Sequence, residues 1–163
     1  MQVRRIQPGD DMARAGHLLR QAYGRLDPDS DHDAYHDVIA DVSSRADDSH
    51  VIVAVDDDDG IVGCLTFVTG TGDPDYEFDD PDAASFRYFG VDPACQGQGV
   101  GEAMVRWVID EARRIGRRRI RMHTLESMRA AQRLYERLGF ARDPATDADW
   151  DGVIGLAYLL DLG

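Results

Sequence analysis

The sequence predicts one α/β domain built on a mixed, mostly antiparallel sheet flanked by helices. Three observations carry this. The chain has 163 residues, 43% of them apolar, which is the length of one ordinary domain and enough to bury a core. Apolar residues recur with period two in some stretches and at helical spacing in others, giving the order β-α-α-β-β-β-α-β-α-β-β. Several successive strands are joined by turns rather than by crossover helices, so most of the pairing is antiparallel. There are no internal repeats and no interdomain linker, so residues 1–163 read as a single domain.

Each element has its own signal. Gln2 to Ile6 reads as a strand ended by Pro8-Gly9. Asp10 or Asp11 caps a helix running to about Gly24, with Met12, Ala15, Leu18, Leu19 and Ala22 on one face. Leu26 to Ser30 is a polar turn, and a weaker helix covers roughly Asp33 to Ser44. His50 to Val55 and Ile61 to Val68 are strands joined by the Asp56–Gly60 hairpin. Gly70 to Asp82 is a glycine- and aspartate-rich loop before a strand at Ser85–Val91. Met104, Val105, Val108, Ile109, Ala112 and Ile115 place a helix over Glu102–Ile115, stopped at Gly116. Arg119–Thr124 alternates, with Ile120, Met122 and Thr124 on one face and Arg121 and His123 on the other. Ser127 caps a helix whose Met128, Ala131, Leu134, Tyr135 and Leu138 share a face and which stops at Gly139. Phe140 begins a further strand, and Val153 to Leu160 is the last.

Composition excludes several functions. The 18 basic residues are all arginine and 26 of the 31 acids are aspartate, for a net charge of −13. A P-loop needs a lysine, as does Schiff-base catalysis, so both are out. So acidic a chain is not a nucleic-acid-coating protein, since duplex binding rests on neutralising phosphates. Cys64 and Cys95 are too few for a disulfide framework and show no metal-ligand spacing. The first ten residues hold no apolar run and no later stretch could span a membrane, so the expectation is a cytoplasmic protein with free thiols and no membrane partner. Strong acidity also accompanies a salty cell interior.

The stretch Val91-Asp92-Pro93-Ala94-Cys95-Gln96-Gly97-Gln98-Gly99-Val100-Gly101 leads from a strand straight into a helix. Glycines let backbone approach a ligand, and the first helical N–H groups have no internal partner, so this is an anion site. A dinucleotide fold wants G-x-G-x-x-G; here the third glycine comes one residue early and Glu102 follows it. From Arg113 to Arg142 the chain carries a local +8, against −21 for the remainder. A basic block after a glycine loop suits a cofactor with several phosphates, although charge runs are also common on solvated faces.

These residues resemble the GNAT superfamily of acyl-CoA-dependent N-acetyltransferases. Gln96-Gly97-Gln98-Gly99-Val100-Gly101 matches the family signature Gln/Arg-x-x-Gly-x-Gly/Ala, and Phe89-Gly90-Val91-Asp92-Pro93 is similar to the end of the family's splayed fourth strand. Ala131-Gln132-Arg133-Leu134-Tyr135-Glu136-Arg137-Leu138-Gly139-Phe140 resembles its second hallmark, a helical tyrosine before a Leu-Gly-Phe turn. The resemblance implies acetyl-CoA as acyl donor, no metal, and a small-molecule or peptide primary amine as acceptor. The amine attacks directly through a tetrahedral intermediate. The backbones of Phe89, Gly90 and Val91 would pair with the pantetheine arm. Amides of Gln96, Gly97, Gln98, Gly99, Val100 and Gly101 would cradle the pyrophosphate, and an N–H near Phe89 would polarise the thioester.

Tyr135 is the candidate acid for the thiolate leaving group, because a phenol donates a proton while staying neutral at pH 7. It also lies on the apolar face, so packing is its competing role. Many relatives carry a base glutamate where Ser85 stands here, which leaves Glu77, Asp79, Asp80, Asp82, His123 or a water chain as the base. Met128 stands where many relatives have an asparagine contacting the pantetheine region. A longer acyl-CoA donor, a catalytically silent acyl-CoA sensor and a nucleotide-binding module remain as rival readings. His32 and His36 stand at i, i+4 but lack a third ligand, so a solvated helix face is the reading. The acidic loop Asp73–Asp82 and the Asp27–Asp37 tract would draw in a cationic amine. The last strands offer an edge on which a homodimer could pair.

Overall fold

A computed structural model describes residues 1–24, 33–46 and 50–163. The Leu26–Ser30 turn and His32 lie outside the described residues. The protein is α/β, with an open, mixed and mostly antiparallel sheet flanked by helices. The chain falls into two compact units, Met1–Phe67 with Tyr88–Trp107, and Val68–Arg87 with Val108–Gly163.

In the first unit, β1 (Gln2–Arg5), β2 (Val51–Val55) and β3 (Ile61–Val68) form an antiparallel ladder. Every residue of β2 and β3 is buried, as expected of strands covered on both faces. The hairpin between them is held by Asp56, whose carboxylate accepts from the N–H groups of Asp58 and Gly60 at 3.0 and 2.8 Å. Helix α1 (Met12–Gly24) is capped by Asp11, which accepts from the Arg14 N–H at 2.9 Å; Asp10 instead pairs with Arg4. Ala15, Leu18 and Leu19 of α1 are buried with Ile6, Ile39, Val42, Val53, Ile61 and Cys64 in one core. Burial pushes the Cys64 thiol up to about 12, so it is inert packing.

The expected helix over Asp33–Ser44 is two helices, α2 (Asp33–Ala40) and α3 (Val42–Ala46). Asp41 divides them, because its carboxylate accepts from the Ser44 N–H and from both the Ser43 and Ser44 hydroxyls. A residue that satisfies the next helix's first donors serves better as a cap than as a helical interior.

In the second unit, β5 (Arg119–Leu125) pairs along its whole length with β8 (Val153–Asp161), antiparallel. Two short strands, β6 (Ala141–Arg142) and β7 (Ala148–Trp150), also pair with β8. Strand β7 escapes sequence reading because three residues show no period. β4 (Ala83–Val91) begins in this unit and pairs in parallel with β5 through Ala83–Arg119 and Ala84–Ile120. The helix α5 (Arg129–Arg137) starts later than expected and is not capped by the Ser127 side chain. Met128 holds the cap position without a side-chain bond, and Ser127 contributes only its carbonyl, which accepts from the Arg129 N–H at 3.0 Å. Among the described residues no helix is long and apolar enough to cross a membrane.

Candidate active site

The glycine loop belongs to the first unit. Strand β4 ends where the Asp92 N–H donates to the Val62 carbonyl at 2.8 Å. The Asp92 carboxylate then accepts from the Ala94 N–H, forming the 3-10 turn Pro93–Cys95, and pairs with Arg14. The chain passes through Gly97 and Gly99 at φ 79° and 84°, a left-handed backbone that favours glycine. Helix α4 (Val100–Arg114) starts directly after, two residues earlier than the sequence predicts, with the Ala103 N–H donating to the Gly99 carbonyl. The N–H groups of Val100 and Gly101 therefore precede the first intrahelical bond. Nothing lies within 4 Å of where a Cβ would stand on Gly97 or Gly99. Gln96 and Gln98 are exposed, while the Val100 side chain is buried beside Gly63 and anchors the helix start. This fits a phosphate group: bare amides, a positive helix end and no side chain in the way.

Upstream, Tyr88 adopts φ 52°, an unusual conformation for an aromatic residue, and stacks under the Arg45 guanidinium at 4.3 Å. The next N–H, that of Phe89, donates to the Tyr23 hydroxyl at 3.2 Å. Use of that amide against a thioester requires the phenol to release it. Sequence reading missed Tyr23, which sits 66 residues away at the end of α1. Gly90 is a packing glycine: a Cβ there would come within 3.0 Å of Ala22 and Leu19.

Tyr135 belongs to the second unit. It is 2% exposed, and its ring meets Phe86 at 5.8 Å, Phe140 at 5.7 Å and Tyr158 at 6.0 Å. Helix α5 presents it inward, its other positions being exposed or half-buried. Met128 is half-buried, its sulfur accepting from the Thr124 hydroxyl at 3.6 Å. Ser85 is buried at 3% exposure and carries no carboxyl.

The acidic loop and the arginine block meet within this unit at Asp80 and Asp82. Asp80 accepts from Arg119 at 2.7 and 3.0 Å and from Arg121 at 2.8 Å. The Arg119 hydrogen bonds, then those of Arg121, hold its carboxyl far below the usual range, which removes Asp80 as a base. Arg121 also binds Asp143, Arg142 binds Asp147, and Arg114 binds Glu111. Arg117 donates to the Thr69 carbonyl at 2.8 Å. Arg114, Arg119, Arg121 and Arg142 of this segment are thus each paired with a neighbouring carboxylate. Exposed Arg129 and Arg133 of α5 line an open groove of about 540 Å³ with Gln132, Glu126 and Glu136.

Glu77 and His123 come together. The Glu77 Oε1 lies 3.6 Å from His123 Nδ1 and 3.2 Å from Arg87 Nε. His123 is sandwiched between Phe78, stacked at 4.5 Å, and the edge of Trp150 at 5.4 Å. Asp79 is exposed, and Asp82 is 53% exposed beside Arg119.

A model of the acetyltransferase (GNAT) family matches residues 13–140. The mycothiol acetyltransferase of Geodermatophilus obscurus is 39% identical over 71 residues, which is 43% of this chain and 23% of that protein. The chain thus aligns with about a quarter of the length of that relative. An N-acetyltransferase from Staphylococcus aureus Mu50 superposes with a TM-score of 0.72 at 14% identity, covering 98% of this chain and 100% of that one. The yncA protein of Salmonella typhimurium, solved with its cofactor acetyl-CoA, superposes with a TM-score of 0.62 at 21% identity, covering 100% and 94%. Both structures share the fold. With the family model spanning most of its length, the chain belongs to the acetyltransferase (GNAT) family.

Proposed function

We propose that residues 1–163 act as one N-acetyltransferase domain that moves the acetyl group of acetyl-CoA to a primary amine. The observation that carries this is the pair of left-handed glycines opening the N-terminus of α4 in a chain of this family. Amides of Gln96–Gly101 hold the pyrophosphate, with the side chain of Val100 turned to the core. Past Ala84, β4 runs outside its ladder with β5, which supports a pantetheine arm lying along Phe89 and Val91. The donor supplies an activated thioester, which the amine attacks directly through a tetrahedral intermediate. Tyr135 gives a proton to the departing thiolate, so that the leaving group is neutralised as the bond breaks.

The burial of Tyr135 favours a second reading, in which the domain binds acyl-CoA without turnover and the tyrosine only packs. Thiol release from acetyl-CoA against a panel of primary amines decides between them. Turnover with any amine establishes the transferase; tight acetyl-CoA binding with no thiol release establishes the sensor. A faster reaction with a longer acyl-CoA would reassign the donor.

A further inference from the structure

We propose that Glu77 and His123 form the proton-accepting pair for the incoming amine, Glu77 meeting the substrate and His123 holding the proton behind it. This rests on the N-acetyltransferase reading. The tautomer of His123 follows from geometry. Its Nε2 lies 2.8 Å from the Thr146 carbonyl oxygen, which can only accept, so Nε2 carries a hydrogen. In the neutral ring the lone pair is then on Nδ1. That atom is buried without a hydrogen-bond partner, in a side chain 5% exposed, and the nearby Glu77 carboxylate is 3.6 Å away. Two acceptors face each other beyond hydrogen-bond distance. A proton delivered between them turns this opposition into a charge-assisted bond.

Access divides the roles. His123 Nδ1 is closed to solvent, whereas the Glu77 side chain is 21% exposed. The proton therefore leaves the substrate ammonium for a Glu77 oxygen and passes to Nδ1, leaving a neutral amine, a carboxylate and an imidazolium. The imidazolium is held by Glu77 on one nitrogen and by Thr146 on the other. An imidazole is intrinsically a stronger base than a carboxylate, so relaying the proton to the ring gives a better acceptor than a carboxylate alone.

Placement agrees. Glu77 is anchored to Arg87 of β4, and Arg87 shares a face of that strand with Ser85 by two-residue alternation. The loop thus delivers a carboxylate to the face where Ser85 offers none. The charged groups around the pair are Arg87 on β4 with its second partner Asp75 and, on the far side, Asp147, which Arg142 holds down to about 2 and so keeps ionised.

The test compares wild type with Glu77→Gln and His123→Gln in thiol release from acetyl-CoA. It is run across pH with a polyamine, an aminoglycoside, an amino acid and a peptide bearing a free N-terminus. The glutamine at 123 keeps an N–H for Thr146 but has no basic nitrogen, so folding is retained while the proton store is lost. The expected result is a fall in kcat/KM at neutral pH of about 100-fold for Glu77→Gln and about 10-fold for His123→Gln, with acetyl-CoA affinity unchanged by calorimetry. The rise of kcat/KM with pH moves to lower pH in His123→Gln. Nitrogen-15 imidazole shifts should show the Nε2–H tautomer for neutral His123. If wild type turns over an amine while both variants match it at every pH, or if the imidazole shifts show the Nδ1–H tautomer, the pair is not the base. If wild type acetylates no amine, the transferase reading fails and takes this assignment with it.

Discussion

Gly99 separates folding from binding in one position. Its φ of 84° lies in the left-handed region, and the space around a built Cβ is empty to 4 Å. Gly99→Ala therefore meets no clash and costs only backbone strain, about 1–2 kcal/mol. For a domain of this size that lowers the thermal midpoint by about 2–8 °C. Gly99→Asp adds the same strain and a negative charge where the pyrophosphate would sit. One charge pair about 5 Å apart repels by about 0.8 kcal/mol in water and about 3 kcal/mol at an effective dielectric of 20. With about 1.4 kcal/mol per tenfold, acetyl-CoA should bind Gly99→Asp about 4- to 150-fold more weakly than Gly99→Ala. Differential scanning calorimetry and isothermal titration calorimetry on the two variants read the two effects separately. Equal acetyl-CoA affinity in Gly99→Asp and Gly99→Ala, with the melting shift as expected, would show that the loop does not carry the pyrophosphate.

Three further outcomes are expected. Tyr135→Phe keeps the ring packed against Phe86, Phe140 and Tyr158 and removes only the hydroxyl; kcat should fall about 10- to 1000-fold with little change in acetyl-CoA affinity, and an unchanged kcat would end the acid assignment. Asp80→Asn leaves one acceptor oxygen for two arginines and should lower unfolding free energy by about 2–4 kcal/mol in urea melts. Because the folded-state value for Asp80 is depressed, its contribution is present in full above the unfolded carboxylate value of about 3.9 and declines as pH falls below it, so the gap between wild type and Asp80→Asn should close in acid. Gly155→Ala places a Cβ 2.5 Å from the Trp150 ring, which must swing away from His123; a cost of about 1–2 kcal/mol and a shifted Trp150 fluorescence in a Trp107→Phe background are expected, and an unshifted spectrum would contradict that packing.

Much of the fold was legible because period and punctuation agreed. The run from Met104 to Ala112 carries one continuous apolar stripe, and all of these helical-face residues are buried. The Asp56–Gly60 hairpin was visible from its turn residues, and β5 from strict alternation. The failures share a cause. Asp41 splits a helix because its short polar side chain satisfies the next helix's donors, and the cap of α5 falls on Met128 rather than Ser127, a choice of one position that local sequence does not rank. β7 has too few residues to show alternation, and its strand state comes from pairing with β8.

Two motifs in fixed order were enough to identify the family from sequence, and the glycine turn ahead of α4 was legible too, because glycine spacing before a helix is a local property of the backbone. The sequence also determined which residues could carry charge. Which of those charges meet is set by the folded chain. Asp80 and Glu77 are near neighbours in one acidic loop, yet Asp80 is spent between two arginines of β5 while Glu77 faces the buried nitrogen of His123. Tyr23 reaches the Phe89 amide across 66 positions. Electrostatic and hydrogen-bond energies depend on distances of a few ångström between residues far apart in the chain, and those distances are set by packing, not by order along the sequence.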